Sequence, residues 1–419
     1  MTQPRLVRGL VVLLTGEGIS RFFSFVAIAV LARRLGDANW APVAVALTLS
    51  QFGALFVESG MRLYGAREVA RDHSAAGRIA PAVVAFQLVI GVVLVLVAVL
   101  SNAFGTVRPD LARLLPGYAV ALIALPFFVP WIFQGLSRMD WVAAPQAIRY
   151  AVLLLLTFFL VGGPNDVPLL PWLEVASMTT GAAVAMWALR RIGIPFSVAP
   201  SRAFDSGILR ESIPIAASQL LWVVRMYLPI LLLWKLSDEQ SVARFDLCHR
   251  ILMVMQAFLT MYLTNLFTSL SQEAKRSGKR FHQLLFGSTA LAATATSLMA
   301  LVIAVYAGQV LDTLYSDVFN HPEATASLTL LVMLVPVLAI RGHGHYALVA
   351  LGHQRQEFWC SLVGTAVLVV LLGAWVPQRA AVGAAQAMLV SEVVGLAIIW
   401  LTLLPAARAR NAGWPQSDR

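Results

Sequence analysis

The sequence predicts an all-α polytopic membrane protein, with about twelve transmembrane helices in two six-helix lobes. Three observations carry that expectation. Of 419 residues, 59% are hydrophobic and only 12% charged, with mean hydropathy +0.77; soluble proteins carry about 25% charged residues. Apolar runs long enough to cross a ~30 Å hydrocarbon core recur along the whole chain. Lysine and arginine crowd into alternate connections between those runs.

The runs lie at 10–33, 41–61, 79–101, 114–137, 143–162, 168–189, 212–235, 244–268, 284–307, 325–347, 357–376 and 380–404. The first follows Arg5 and Arg8, which imitates a signal peptide. It carries Glu17 and Arg21 and ends in Arg33-Arg34, so it reads as an uncleaved span. Prolines interrupt the fourth (Pro126, Pro130), fifth (Pro145), seventh (Pro214, Pro229) and tenth (Pro336). Each removes a backbone hydrogen bond and can kink its helix, lining a cavity or merely shaping packing. The eighth carries Gln256, Tyr262 and Asn265, enough polarity for one wet face. Cys248 and Cys360 fall in or at the edge of spans and read as buried free thiols.

Charge sets the topology. The connections taken as cytoplasmic hold Arg5, Arg8, Arg62, Arg67, Arg71, Arg78, Arg138, Arg149, Arg190, Arg191, Arg202, Arg210, Lys275, Arg276, Lys279, Arg280, Arg355, Arg408, Arg410 and Arg419. The opposite ones hold only Arg33, Arg34, Arg108, Arg113, Lys235, Arg244 and Arg379. This places both termini in the cytoplasm and accounts for the net charge of +10. No aromatic-rich basic domain exists, so nucleic acid is not a partner. A weak repeat marks the halves. Arg34-Leu35-Gly36-Asp37 follows the first span as Lys235-Leu236-Ser237-Asp238 follows the seventh. Residues 1–200 and 201–419 therefore read as parallel six-span repeats, an architecture that places substrate between halves near mid-membrane.

Ionisable residues inside the membrane are functional hypotheses. Glu17 and Arg21, and Asp246 and Arg250, stand four apart with the carboxylate first, which suits an ion pair within one helix. Arg225, Arg341, Glu174 and Glu392 lack an opposite charge one turn away. The arginines either pair with glutamates across helices or form a cationic lumen for an anionic substrate. A guanidinium matches phosphate or carboxylate bidentately. Arg225, Arg341, Arg250 and Arg21 are the candidate anion ligands, and Trp222 and Tyr227 could stack on sugar rings. Unpaired carboxylates, once desolvated, bind and release protons near neutral pH; Glu174, Glu58, Glu17 and Asp246 are the candidates for ion coupling, although Glu58 can also pair with Arg62. Within Ile340-Arg341-Gly342-His343-Gly344-His345 the histidines point to different helix faces, so no metal is expected.

No G-x-x-x-x-G-K-[ST] phosphate loop occurs. A membrane polymerase or ligase for lipid-linked sugars would need a long external loop, and none exists. The chain reads as one that moves a molecule, with no catalytic residue and no cofactor.

Four segments carry a resemblance. They are Leu31-Ala32-Arg33-Arg34-Leu35-Gly36, the stretch from Glu58-Ser59-Gly60 through Ala66-Arg67-Glu68-Val69-Ala70-Arg71-Asp72, Trp131-Ile132-Phe133-Gln134-Gly135-Leu136-Ser137-Arg138-Met139, and Leu209-Arg210-Glu211-Ser212-Ile213-Pro214. Together they resemble the Wzx-type lipid-linked oligosaccharide flippases, in the multidrug/oligosaccharidyl-lipid/polysaccharide exporter superfamily. The W-x-F-Q-G piece is the most specific. The chain departs in having Arg225-Met226-Tyr227 where family members often carry an aspartate, and Trp40-Ala41 in place of phenylalanine-glycine. The resemblance implies a MATE-like fold in a bacterial inner membrane. It implies alternating access that moves undecaprenyl-pyrophosphate-linked O-antigen or other polysaccharide units to the periplasmic leaflet. Proton or sodium coupling and a neighbouring polysaccharide polymerase machinery come with it. The alternatives are a multidrug cation antiporter, which wants an acidic lumen, and the polymerase or ligase.

Overall fold

The computed structural model describes residues 3–194, 206–276, 278–316, 319 and 321–413. The side chains of Arg5, Arg8, Arg202, Arg210, Lys275, Arg276, Arg408, Arg410 and Arg419, and the 200/201 boundary of the sequence repeat, lie outside the described residues. In chain order the helices are α1 (Gln3–Glu58), α2 (Met61–Arg71), α3 (Ala75–Ala103), α4 (Pro109–Ala112), α5 (Leu115–Leu122), α6 (Pro130–Gly135), α7 (Met139–Leu160), α8 (Leu170–Arg191), α9 (Ser206–Leu236), α10 (Glu239–Arg276), α11 (Gly278–Val305), α12 (Ala307–Leu314), α13 (Pro322–Ala350) and α14 (Gln354–Gly413).

Among the described residues, ten helical segments are long and apolar enough to cross a membrane, and two are too long to cross once. Gly16–Glu58 has 43 residues and Gln354–Pro405 has 52, roughly 65 and 78 Å at 1.5 Å per residue, against a ~30 Å core. Each is broken near its middle, α1 at Gly36 (φ 73°, ψ 174°) and α14 at Ala380 (φ 45°, ψ −126°). Gly36 lies in the connection the sequence places between the first two runs, and Ala380 is the first residue of the last run, so the ten segments supply twelve crossings. The Gly36 geometry is open essentially to glycine alone.

The fourth span departs from a continuous helix. Pro126 and Pro130 divide it into α5, a 3₁₀ turn over Leu125–Phe128, and α6, with Val129 in the left-handed region at φ 38°. Pro145 and Pro336 stay inside α7 and α13. The connection expected between the eighth and ninth spans is itself helical, since α10 runs to Arg276 and α11 begins at Gly278. The basic residues there sit on helix ends.

The chain divides into two compact units, Met1–Val223 and Val224–Arg419, with the division inside α9. In the first, α1 packs along α7, α7 on α8, and α2 on α6. The last contact joins two of the segments that carry the family resemblance. Trp131, Ile132 and Phe133 are buried against Met61 and Val69. A Cβ on Gly65 would meet the Trp131 ring, and one on Gly135 would meet Val69. These motifs are packing motifs; their glycines admit a close helix crossing. At the other end of the unit, Arg34 donates to the carbonyls of Thr157 (3.1 Å), Phe158 (2.8 Å) and Val161. It thereby satisfies the last turn of α7. The connections after spans 1 and 5 thus lie on one side, as alternation requires.

In the second unit α13 is central, packed on α10, α11 and α14. Glu323, in its first turn, accepts from Arg244 Nη1 (3.1 Å), Ser241 Oγ (2.8 Å) and the Ala381 N–H (3.1 Å). The connections after spans 7, 9 and 11 therefore also share one side. Beside them Asp238 caps α10, accepting from the Ser241 N–H at 2.8 Å.

Candidate functional site

The I-R-G-H-G-H stretch of α13 builds the site. A Cβ on Gly342 would sit 2.4 Å from Leu263 Cδ1 of α10, and one on Gly344 2.5 Å from Ile399 Cγ2 of α14, with Trp400 Nε1 at 3.2 Å. Trp400 donates from its indole to the Ile340 carbonyl at 3.0 Å. The glycines thus let neighbouring helices close on this turn of α13, and Arg341 between them is carried into the interior. Gly395 gives it room: a Cβ there would sit 3.0 Å from Arg341 Nε.

Arg341 and Arg225 converge on one carboxylate. Arg341 Nη1 donates to Glu392 Oε2 at 2.7 Å, and Arg225 Nη2 pairs with Glu392 Oε1. Arg225 and Arg341 are each 8% exposed and Glu392 3%. Arg341 Nη2 also donates to Ser361 Oγ (3.2 Å), which donates to Glu357 Oε1 (2.7 Å), and His345 Nδ1 lies 2.8 Å from the same oxygen. The chain Arg225–Glu392–Arg341–Ser361–Glu357–His345 joins α9, α13 and both arms of α14.

Of the two arrangements the sequence left open for Arg225 and Arg341, the structure shows pairing across helices, with Glu392 as the shared partner. Opposite charges come from other helices, because a bare charge in a buried setting costs far more than a bonded one. The expectation of an unpaired Glu174 is corrected: it is bound by Arg149 Nη2, and both side chains are largely buried. Arg149 therefore belongs to α7 rather than to a loop. Of the two pairs predicted within one helix, Asp246–Arg250 forms, with Arg250 Nε 2.7 Å from Asp246 Oδ2. No Glu17–Arg21 ion pair exists among the described residues, and Arg21 is exposed. Glu58 is half-buried at the end of α1.

Around Asp246–Arg250, Phe245 stacks on His249 (ring centroids 5.8 Å apart) and Tyr227 meets His249 edge-on (6.2 Å). Trp222 is 44% exposed. The second unit thus gathers Arg225, Tyr227, Asp246, Arg250 and Arg341, whereas Glu17, Arg21, Glu58, Glu174 and Trp222 belong to the first. His343 and His345 part company as predicted. His343 Nδ1 faces its own-helix Ala339 carbonyl at 2.7 Å and its Nε2 the Tyr262 hydroxyl at 3.5 Å, while His345 faces Glu357. Sequence reasoning did not select Glu392, Glu357 or Ser361 for the site. Only Glu392 carried a signal, a mid-span carboxylate with no base one turn away.

Residues 6–272 match the family model described as "Polysaccharide biosynthesis protein". The chain belongs to this family. A Shigella dysenteriae relative, named "Putative O-antigen transporter", is 22% identical over 271 residues, covering 63% of this chain and 67% of its own. Among solved structures, a multidrug resistance MATE transporter of the MOP superfamily in an inward-facing conformation superposes with TM-score 0.73 at 15% identity, covering 98% of this chain and 100% of that one. The lipid II flippase MurJ in an inward closed conformation superposes with TM-score 0.75 at 10% identity, covering 96% and 90%. The fold is therefore that of the MOP superfamily, shared by family members and multidrug transporters alike.

Proposed function

We propose that this protein is a flippase for lipid-linked oligosaccharides. It moves undecaprenyl-pyrophosphate-linked repeat units across a bacterial inner membrane by alternating access, for assembly of a surface polysaccharide such as O-antigen. Family membership supports this, as do the O-antigen name of the Shigella relative and the lipid II of MurJ, a lipid-linked saccharide. The observation that carries it to residues is the pair of buried guanidinium groups, Arg225 and Arg341, sharing one carboxylate. Two guanidinium groups share this one acid, with Glu357 a further step away through Ser361, and such a paired set of N–H donors suits a pyrophosphate or acidic sugar. Arg250 and Tyr227, in the same unit, extend the same reading toward the glycan, and Trp222 and Arg21 are assigned to it from the sequence alone. Both termini are assigned to the cytoplasm, and the lobes to residues 1–200 and 201–419.

The multidrug cation reading is the weaker one. It wants free carboxylates, whereas Glu174, Asp246 and Glu392 are each bonded to an arginine. The absence of a long external loop argues likewise against a polymerase or ligase, although such machinery is a natural partner.

The test is flipping of labelled lipid-linked oligosaccharide by purified protein in liposomes, beside an organic-cation uptake assay. Wild-type protein should flip the glycolipid and ignore the cation. Arg225→Ala and Arg341→Ala should insert and fail to flip. Cation uptake without glycolipid flipping would replace this reading with the antiporter.

A further inference from the structure

We propose that Glu392 is the carboxylate that couples substrate binding to a proton. The proposal rests on the flippase reading and deepens it. Glu392 stands where the substrate's own anion has to go: its two oxygens are divided between Arg225 of α9 and Arg341 of α13. A pyrophosphate group that takes both guanidinium groups competes with Glu392 for Arg225 Nη2 and Arg341 Nη1. The other membrane acids are poor choices for such an exchange. Glu174 and Arg149 form a one-to-one pair, and Asp246 and Arg250 are fixed to each other on one helix.

The site is built to let the carboxylate go. Arg341 keeps its second hold, Nη2 on Ser361, when Nη1 is released. Its Nε lies over Gly395 without a hydrogen-bond partner. Glu392 is 3% exposed, so once stripped of both cations it is a buried carboxylate in a low-dielectric setting, and such a group takes a proton. Its bonded partners are Arg225 from α9 and Arg341 from α13, and Arg341 leads on to Ser361 and Glu357 of the first arm of α14 and so to His345. Glu357 is held separately, accepting from Ser361 Oγ at 2.7 Å with His345 Nδ1 at 2.8 Å. On α10, Asp246 and Arg250 are bonded to each other.

The step balances. The diphosphate oxygens accept the N–H bonds of Arg225 and Arg341, the Glu392 carboxylate leaves them, and one proton from solvent binds its oxygen. Release of the diphosphate returns the carboxylate to the guanidinium groups and discharges that proton. Linkage makes the effect reciprocal: protonation favours the diphosphate as the diphosphate favours protonation.

The experiment is calorimetric titration of the purified full-length protein with farnesyl diphosphate, at one pH, in buffers of different ionisation enthalpy. Wild-type protein should take up about one proton per ligand, with affinity falling roughly tenfold per pH unit in that regime. Glu392→Gln should bind with no proton uptake and a flat pH profile, and Glu392→Asp should retain both. If Glu392→Gln fails to fold, the wild type and Glu392→Asp still decide. Wild-type binding without proton exchange, no wild-type binding, or uptake retained in Glu392→Gln each overturns the proposal. Liposome flipping that persists without proton uptake removes the coupling and leaves the flippase; absence of flipping removes the flippase reading itself.

Discussion

Gly65 lies directly against Trp131: a Cβ on Gly65 would sit 2.5 Å from the ring atom Cε3. Trp131 is 2% exposed and has no space to retreat. Gly65→Ala should therefore destabilise the first unit by about 1–3 kcal/mol, the usual cost of overpacking. The readout is the thermal melt of detergent-solubilised protein. An unchanged melting temperature would mean that α2 and α6 do not pack as described.

Arg341→Lys separates charge from geometry. Lysine keeps the positive charge but cannot span Glu392 and Ser361 as the guanidinium does. Glycolipid flipping should fall at least about tenfold, with membrane insertion retained. Full flipping by this variant would show that a point charge suffices.

The two helix breaks make opposite predictions. Gly36→Ala forces a side chain into a backbone region held by glycine and should cost about 1–3 kcal/mol. Ala380 adopts φ 45° with a side chain in place, so Ala380→Gly removes strain and should be neutral or stabilising. Paired melts of the two variants check the contrast.

Glu323→Ala removes the acceptor shared by Arg244, Ser241 and the Ala381 N–H. A loss of about 1–3 kcal/mol follows from leaving those donors unmet. Proteolysis at the Ala380 connection should speed up, and equal rates in variant and wild type would argue against the tie.

Asp238 supplies a pH test outside the membrane. Burial pushes its carboxyl up, but hydrogen bonds from the Ser241 N–H and hydroxyl and from Ser237 win and hold it below the ordinary carboxylate value. A lowered folded-state value means its stabilising effect is complete above the unfolded value, near 3.9, and is lost as pH falls through the folded one. Asp238→Ala should cost about 0.5–2 kcal/mol at neutral pH, and the difference from wild type should vanish in acid. A gap that persists in strong acid would assign the effect to something other than the carboxylate.

Composition, apolar spacing and charge alternation determined the membrane class, the twelve crossings and the connections at or beside which both long helices break. Each is a local property: a span declares itself by its own length, and Gly36 by the backbone only glycine adopts. The four resemblance segments determined the family in the same way. Pairing of the buried charges was decided by tertiary structure alone. Arg225 and Glu392 stand in different helices, and Arg149 and Glu174 on neighbouring ones, so no one-turn spacing could reveal either bond. Where the partner was one turn away, Asp246–Arg250 formed and Glu17–Arg21 did not; spacing permits a pair, and burial of Asp246 enforces it. A buried charge must find an opposite charge wherever the fold places one, and only the packing of α9, α13 and α14 determines that this is Glu392.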